Sequence, residues 1–237
     1  MKRRLLLLLL LATAVSGVGP STADAGTECD GLVVCIPVTG PWVQVLGGGT
    51  PTYYQLTCPG RGQTIGGLDA DRAGPLELSF LGTLGGPVSP GITTGHAAVF
   101  VARTSRLLSG FRPLLGCIPG GGGGGRGRTV HEPTRQLTAV APPVEATIRR
   151  VKNVRLKDVQ TQRVTHACLA GERLLAFSQA VAFRTARPPS LSAFGSVRAT
   201  SRLAGDRIVV TVRSGITRPQ SVRVELQIHA ICVRAPS

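Results

Sequence analysis

The sequence predicts an all-β chain: two small, disulfide-bridged, sandwich-like domains joined by a glycine-rich linker. Three observations carry this expectation. Apolar and polar residues alternate with period two in several segments, and no segment sustains a 3.6-residue period. A run of six glycines, Gly120 to Gly125, follows Pro119 near the middle of the 237 residues; such a run packs no side chain and loses the most backbone entropy on ordering. Each half also carries one long-range cysteine pair, Cys58 and Cys117, 59 residues apart, and Cys168 and Cys232, 64 apart. The matched layout suggests a duplicated unit.

Taken from the N-terminus, Lys2, Arg3 and Arg4 precede an apolar run from Leu5 to Val15, and small residues follow down to Ala23-Asp24-Ala25. A basic start, a short apolar stretch and an A-x-A site make residues 1–25 a secretory signal peptide. The run reaches only about 16 Å as helix, roughly half a bilayer core, so it is not a membrane anchor. The mature chain is therefore expected outside the cytoplasm, secreted or in the cell envelope. The division that follows is an N-terminal β-domain over 26–118, a Gly/Arg-rich linker over 119–135 and a basic β-domain over 136–237. A phosphate-cradling loop is the alternative for the glycine run, but it lacks the Gly-Lys-Ser/Thr ending that such a loop needs.

Within the first domain, Leu76-Glu77-Leu78-Ser79-Phe80 alternates as a half-buried strand does, and Gly85-Gly86-Pro87 and Ser89-Pro90-Gly91 mark turns. In the second, Ile208, Val210 and Val212 alternate with Arg207, Thr211 and Arg213. Val222, Val224, Leu226, Ile228, Ala230 and Cys232 alternate likewise with Ser221, Arg223, Glu225, Gln227 and His229. Arg187-Pro188-Pro189 and Ala204-Gly205-Asp206 are the turns between. Residues 144–151 have room for a turn or two of helix at most.

Charge separates the halves. Lys and Arg number 27 against 12 Asp and Glu, a net +15, and 24 of the cations are Arg. Removing the signal peptide leaves +13. The five Arg and five acids between Gly26 and Ile118 cancel, so the whole excess lies from Pro119 onward. Arg149, Arg150, Lys152, Arg155 and Lys157 stand closest together and are the candidate anion-binding residues, suited to anionic wall polymer or lipid headgroups. The simpler alternative is compositional: Arg on a solvent-facing strand keeps a domain soluble. Only 9 residues are aromatic, which excludes a stacking platform for single-stranded nucleic acid and disfavours a sugar cleft. With export and no recognition motif, nucleic acid is not an expected partner. Trp42, Tyr53 and Tyr54 in the neutral domain are the residues expected to carry any specific recognition.

The segments Val34-Cys35-Ile36-Pro37-Val38, Gly40-Pro41-Trp42-Val43, Cys58-Pro59-Gly60 and Gly66-Gly67-Leu68-Asp69-Ala70 resemble uncharacterised secreted proteins of high-GC Gram-positive bacteria. So do Asp71-Arg72-Ala73, Leu78-Ser79-Phe80-Leu81-Gly82, Pro90-Gly91-Ile92-Thr93-Thr94 and Phe111-Arg112-Pro113 with Gly116-Cys117-Ile118-Pro119. The resemblance covers about 90 residues of the first half and reaches the second only through its cysteine layout. It implies export and a small disulfide-bridged β-domain, and it transfers no activity and no functional residue.

Six cysteines in an exported chain are most simply three bridges, although six allow fifteen connectivities. The expected pairs are Cys58 with Cys117, Cys168 with Cys232, and Cys29 with Cys35. The rival for the second pair is a zinc site built from His166, Cys168, His229 and Cys232. On strands His229 and Cys232 point to opposite faces, and an oxidising compartment favours the bridge. Asp69 and Asp71 with Glu77 offer oxygens to calcium but lack EF-hand spacing, so a solvated loop is preferred. No nucleophile elbow and no His-Glu-x-x-His is present, His131-Glu132 stands alone in the linker, and no cofactor is indicated. The expected function is a non-catalytic envelope or extracellular binding module with a basic C-terminal domain. The alternatives are an exported hydrolase whose site assembles in space, with a deep polar pocket, and a purely structural envelope protein.

Overall fold

The structure, a computed structural model, describes residues 27–30, 32–81, 95–106, 108–119, 138–140, 147–157, 161–215 and 222–234. The segment expected to be a signal peptide (residues 1–25), the six-glycine run, His131-Glu132 and the turns at 85–91 lie outside the described residues. The chain is all-β. After a 3-10 turn at Thr27–Cys29 the strands are β1 (Ile36–Thr39), β2 (Trp42–Leu46), β3 (Thr52–Thr57), β4 (Gln63–Ala73), β5 (Glu77–Leu81), β6 (Ala97–Arg103) and β7 (Leu108–Pro119). There follow β8 (Thr138–Val140), β9 (Ile148–Arg155), β10 (Thr161–Ala167), β11 (Glu172–Arg184), β12 (Val197–Ala204), β13 (Arg207–Ser214) and β14 (Arg223–Arg234). One short helix, α1 (Leu191–Gly195), precedes β12.

Seven strands form a central antiparallel sheet. Both β1 and β2 pair with β7, which β4 also borders along most of its length. A strand has only two edges, so β1 and β2 lie end to end and the order across the sheet is β4-β7-β2-β11-β14-β9. Two smaller sheets cover it: β3-β6-β5, with β8 added in parallel, and β10-β13-β12. They lie on opposite faces. Val43 and Val45 belong to the hydrophobic cluster under β3-β6-β5 and their neighbour Trp42 to the cluster under β10-β13-β12, as alternation along β2 requires.

The expected duplication is visible in the pairing. Each half runs central, outer, central, outer, outer, central. In the first half β7 lies between β2 and β4 while β6 lies between β3 and β5; in the second β14 lies between β9 and β11 while β13 lies between β10 and β12. The halves are joined through the sheet as well as along the chain, because Val43 and Trp42 of β2 pair with Ala182 and Phe183 of β11. Antiparallel pairing makes equivalent strands run in opposite directions, so the second half is flipped relative to the first and its outer sheet falls on the other face. Each core also takes guests from the other half: Ala180 and Ala182 enter the first, Trp42 the second.

The three expected disulfides are present: Cys29–Cys35, Cys58–Cys117 and Cys168–Cys232. The two long ones occupy the same place in the repeat. Cys58 follows β3 and bonds to β7, Cys168 follows β10 and bonds to β14, so each staples an outer sheet to the central one. Near the N-terminus the turn at Thr27–Cys29 seats on a cross-strand pair of glycines, Gly67 and Gly116. A Cβ at either would come within 2.0 Å of the Glu28 carbonyl oxygen, so only glycine leaves room.

Candidate functional site

The central sheet carries buried polar groups where the halves meet. Gln44 of β2 donates from Nε2 to the carbonyl oxygens of Phe194 (2.5 Å) and Val197 (3.2 Å), beside the outer sheet of the second half. Gln227 of β14 does the converse. Its Oε1 accepts from the Gln55 amide of β3 (2.6 Å) while Nε2 donates to the Gln55 carbonyl (2.9 Å) and to Asn153 Oδ1 (2.8 Å). A side-chain amide thus imitates a strand against the edge of β3. His229 completes the network. Arg149 Nη1 can only donate, so His229 Nδ1 accepts (3.0 Å) and its protonated Nε2 donates to Gln227 Oε1 (2.7 Å). Burial first, then the Arg149 charge, pushes the His229 pKa down to about 3. The imidazole is neutral, fully bonded and structural.

These contacts decide several sequence expectations. The sulfurs of Cys168 and Cys232 are bonded to each other, which leaves the His166/His229 zinc set without thiolates. His166 Nε2 contacts the Arg150 carbonyl oxygen instead (3.0 Å). Among the described residues the only metal-spaced group is Cys168, Glu172 and Cys232, two of which are that disulfide. Asp71 pairs with Arg112 (2.5 Å), and Glu77 lies on the outer sheet rather than beside Asp69 and Asp71. The aromatic recognition set is corrected by burial: Trp42 is 3% and Tyr54 4% exposed, both in the cores. Arg112 lies 5.0 Å over the Trp42 ring and Arg149 5.5 Å over Tyr53, so none of the three presents a free aromatic face to a ligand.

The five candidate cations lie on and just beyond β9, an edge of the central sheet, and they do not converge. Alternation puts Arg149 and Arg155 on one face and Arg150 and Lys152 on the other. Arg149 is committed to Tyr53 and His229. Arg150 forms an ion pair with Glu172 that holds this carboxyl below its ordinary range. Lys152 Nζ donates to the Thr165 carbonyl (2.8 Å). Arg155 and Lys157 remain exposed.

A denser basic surface lies on the outer face of β10-β13-β12. Val164, Val197, Ile208, Val210 and Val212 of these strands enter the core, so the residues alternating with them face outward. Register arranges them in rows: Thr161, Arg213, Arg198; then Arg163, Thr211, Thr200; then Thr165, Val209, Arg202; then Ala167, Arg207, Ala204. Strands stand about 4.8 Å apart and successive rows about 6.8 Å, so five arginines and four threonines share one flat patch. All five arginines are exposed, the face holds no acid, and none of the five forms an ion pair among the described residues. Arg198 and Arg213 are direct cross-strand partners, a like-charge placement that costs roughly 0.2–1 kcal/mol.

Sequence reasoning missed this face because its arginines are spread over fifty residues and only register gathers them. A usable signal was there: Arg198, Thr200 and Arg202, like Thr211 and Arg213, recur at every second position. Elsewhere a hollow of about 720 Å³ gathers Glu77, Arg103, Thr104 and Ser105. The Thr104 hydroxyl donates to the Pro75 carbonyl (2.9 Å) and accepts from the Arg106 amide (3.1 Å), so it shapes the turn. The chain matches no family model, no curated protein sequence and no solved structure.

Proposed function

We propose that this protein is an exported, non-catalytic binding module that holds an anionic polymer against the outer face of its second half. The observation that carries the reading is the flat patch of Arg163, Arg198, Arg202, Arg207 and Arg213, exposed, without acids and with two arginines set directly opposite each other. A surface that pays the repulsion of paired like charges without neutralising it is suited to an external anion. Guanidinium forks take phosphate or carboxylate bidentately, and the interleaved threonine hydroxyls suit the hydroxyls of a sugar or polyol. A flat three-stranded face fits an extended chain better than a small solute, which needs a concave site. Three disulfides suggest an oxidising, extracellular setting, and no helix among the described residues is long and apolar enough to cross a membrane. The cationic half would then be the adhesive one, with anionic wall polymer as its ligand.

The test measures binding of a glycerol-phosphate polymer to the folded protein at about 50 and about 500 mM salt, where the screening length falls several-fold. Affinity is expected to drop at least about tenfold across this range, and by a similar factor when Arg163, Arg198, Arg202 and Arg213 are all changed to Ser. Binding that ignores both salt and these substitutions overturns the reading. Anionic lipid vesicles serve as the comparison arm: tighter binding to vesicles than to the polymer assigns the phosphate to headgroups.

A further inference from the structure

The central sheet ends in β4 and β9, and among the described residues β9 lacks the outer neighbour that its equivalent in the first half has. β2 and β9 hold equivalent places, each flanking the long central strand of its half, β7 or β14. In the first half the outer edge of β2 is covered by β11, with Val43 opposite Ala182 and Trp42 opposite Phe183. In the second half the outer edge of β9 pairs with no strand among the described residues. Its ladder with β14 is regular from Arg155 to Ile148, and the Leu156 amide donates to the Val224 carbonyl (2.9 Å). Alternation from that bond turns the backbone amides of Arg149, Val151, Asn153 and Arg155 outward. An open edge of eight residues is a template for another strand.

We infer that β9 is a docking edge for an acidic, extended peptide segment of a partner protein, which adds to the central sheet as an antiparallel or parallel strand. The chemistry of the edge selects that occupant. β9 carries Arg149, Arg150, Lys152 and Arg155, with Lys157 just beyond, and no acid. Arg149 and Arg150 are engaged inside the molecule, by Tyr53 and His229 and by Glu172. Lys152, which also donates to the Thr165 carbonyl, and Arg155 are exposed toward the C-terminal end of the strand, with Lys157 exposed just beyond it. A second copy presenting its own β9 would bring like charges face to face, which is destabilising; an incoming strand with carboxylates on both of its faces meets Lys152 on one side of the sheet and Arg155 on the other. The fold already shows that this position accepts a strand, because β11 fills it in the other half. This surface is separate from the arginine face on β10-β13-β12.

The experiment titrates the full protein with a synthetic peptide of Val-Val-Glu-Glu repeats, as long as β9, which as a strand carries glutamates on both faces. The same peptide N-methylated at every second residue keeps its charges but cannot form the ladder. Saturable binding to the first, weakened at least about tenfold by N-methylation and by the Lys152→Glu, Arg155→Glu double substitution, is the expected result. Val151→Pro, which removes an outward amide from an edge strand, is expected to act like N-methylation. Arg198→Ser with Arg213→Ser is expected to leave peptide affinity unchanged, which separates this edge from the polymer face. Equal binding of both peptides reduces the interaction to charge alone and overturns the inference, as does no binding. Concentration-dependent association of the protein that Val151→Pro abolishes overturns the assignment of the occupant, since the edge then serves a second copy.

Discussion

β6 and β13 are the middle strands of the two outer sheets and hold the same position in the repeat, yet they face outward with opposite chemistry. β6 presents Ala97, Val99 and Val101, all buried, whereas β13 presents Arg207, Thr211 and Arg213 around a buried Val209. The inward faces, by contrast, are alike: Ala98, Phe100 and Ala102 in one, Ile208, Val210 and Val212 in the other. The inward side is therefore packed alike in both repeats, whereas the outward side is buried in the first and exposes arginines in the second. One topology serves a neutral half and a cationic half because charge is confined to positions that the core does not read.

The largest test of that equivalence is at the disulfides. Each long bridge closes a loop of comparable length between an outer and a central strand, so removing either pair (Cys58→Ala with Cys117→Ala, or Cys168→Ala with Cys232→Ala) should cost on the order of 4 kcal/mol. Denaturant unfolding measures it, and a gap well beyond 1–2 kcal/mol between the two variants would show that the halves are alike in path but not in energetics. The second test concerns the polar seam, to which the second half supplies the buried His229. His229 binds fewer protons folded than unfolded once pH falls below the ordinary histidine value of 6.5, because its folded pKa is about 3. Its contribution is fully present above pH 6.5 and is lost as pH falls toward 3, at up to about 1.4 kcal/mol per pH unit. His229→Gln should flatten this part of the stability–pH curve; an unchanged slope would assign acid sensitivity elsewhere. The smallest expected effect sharpens the contrast between packing and charge. Arg198→Thr with Arg213→Thr removes a like-charge pair from the solvent face, so stability should stay within about 0.5 kcal/mol of the parent or rise slightly. A clear loss in thermal unfolding would mean that these arginines hold the sheet together.

Much of the fold was legible. β13 and β14 each bury one face on the second core, and their sequences alternate accordingly. β11 was harder, because Ala180-Val181-Ala182-Phe183 lies between two cores and both its faces are buried. A strand of that kind reads as a continuous apolar run, and with it went the signal that the halves share a sheet. The spatial grouping of the basic residues was hidden for a different reason. Arg149 to Lys157 are crowded in sequence, but neighbours along a strand point to opposite faces, so density along the chain became dispersion in space. The arginines of β10, β12 and β13 are sparse in sequence and adjacent in the sheet. Only register, which depends on partners far along the chain, converts one into the other.

The junction between the halves has a mechanical consequence. Each half has its outer sheet clamped to the shared central sheet by a covalent bridge, while β2 and β11 meet through just two residue pairs, Val43 with Ala182 and Trp42 with Phe183. A tensile load that entered at one outer face and left through the other half would shear this short junction before it opened either clamp. Yielding there would draw Trp42 out of the second core and Ala180 and Ala182 out of the first, so the seam and the two cores would share the load.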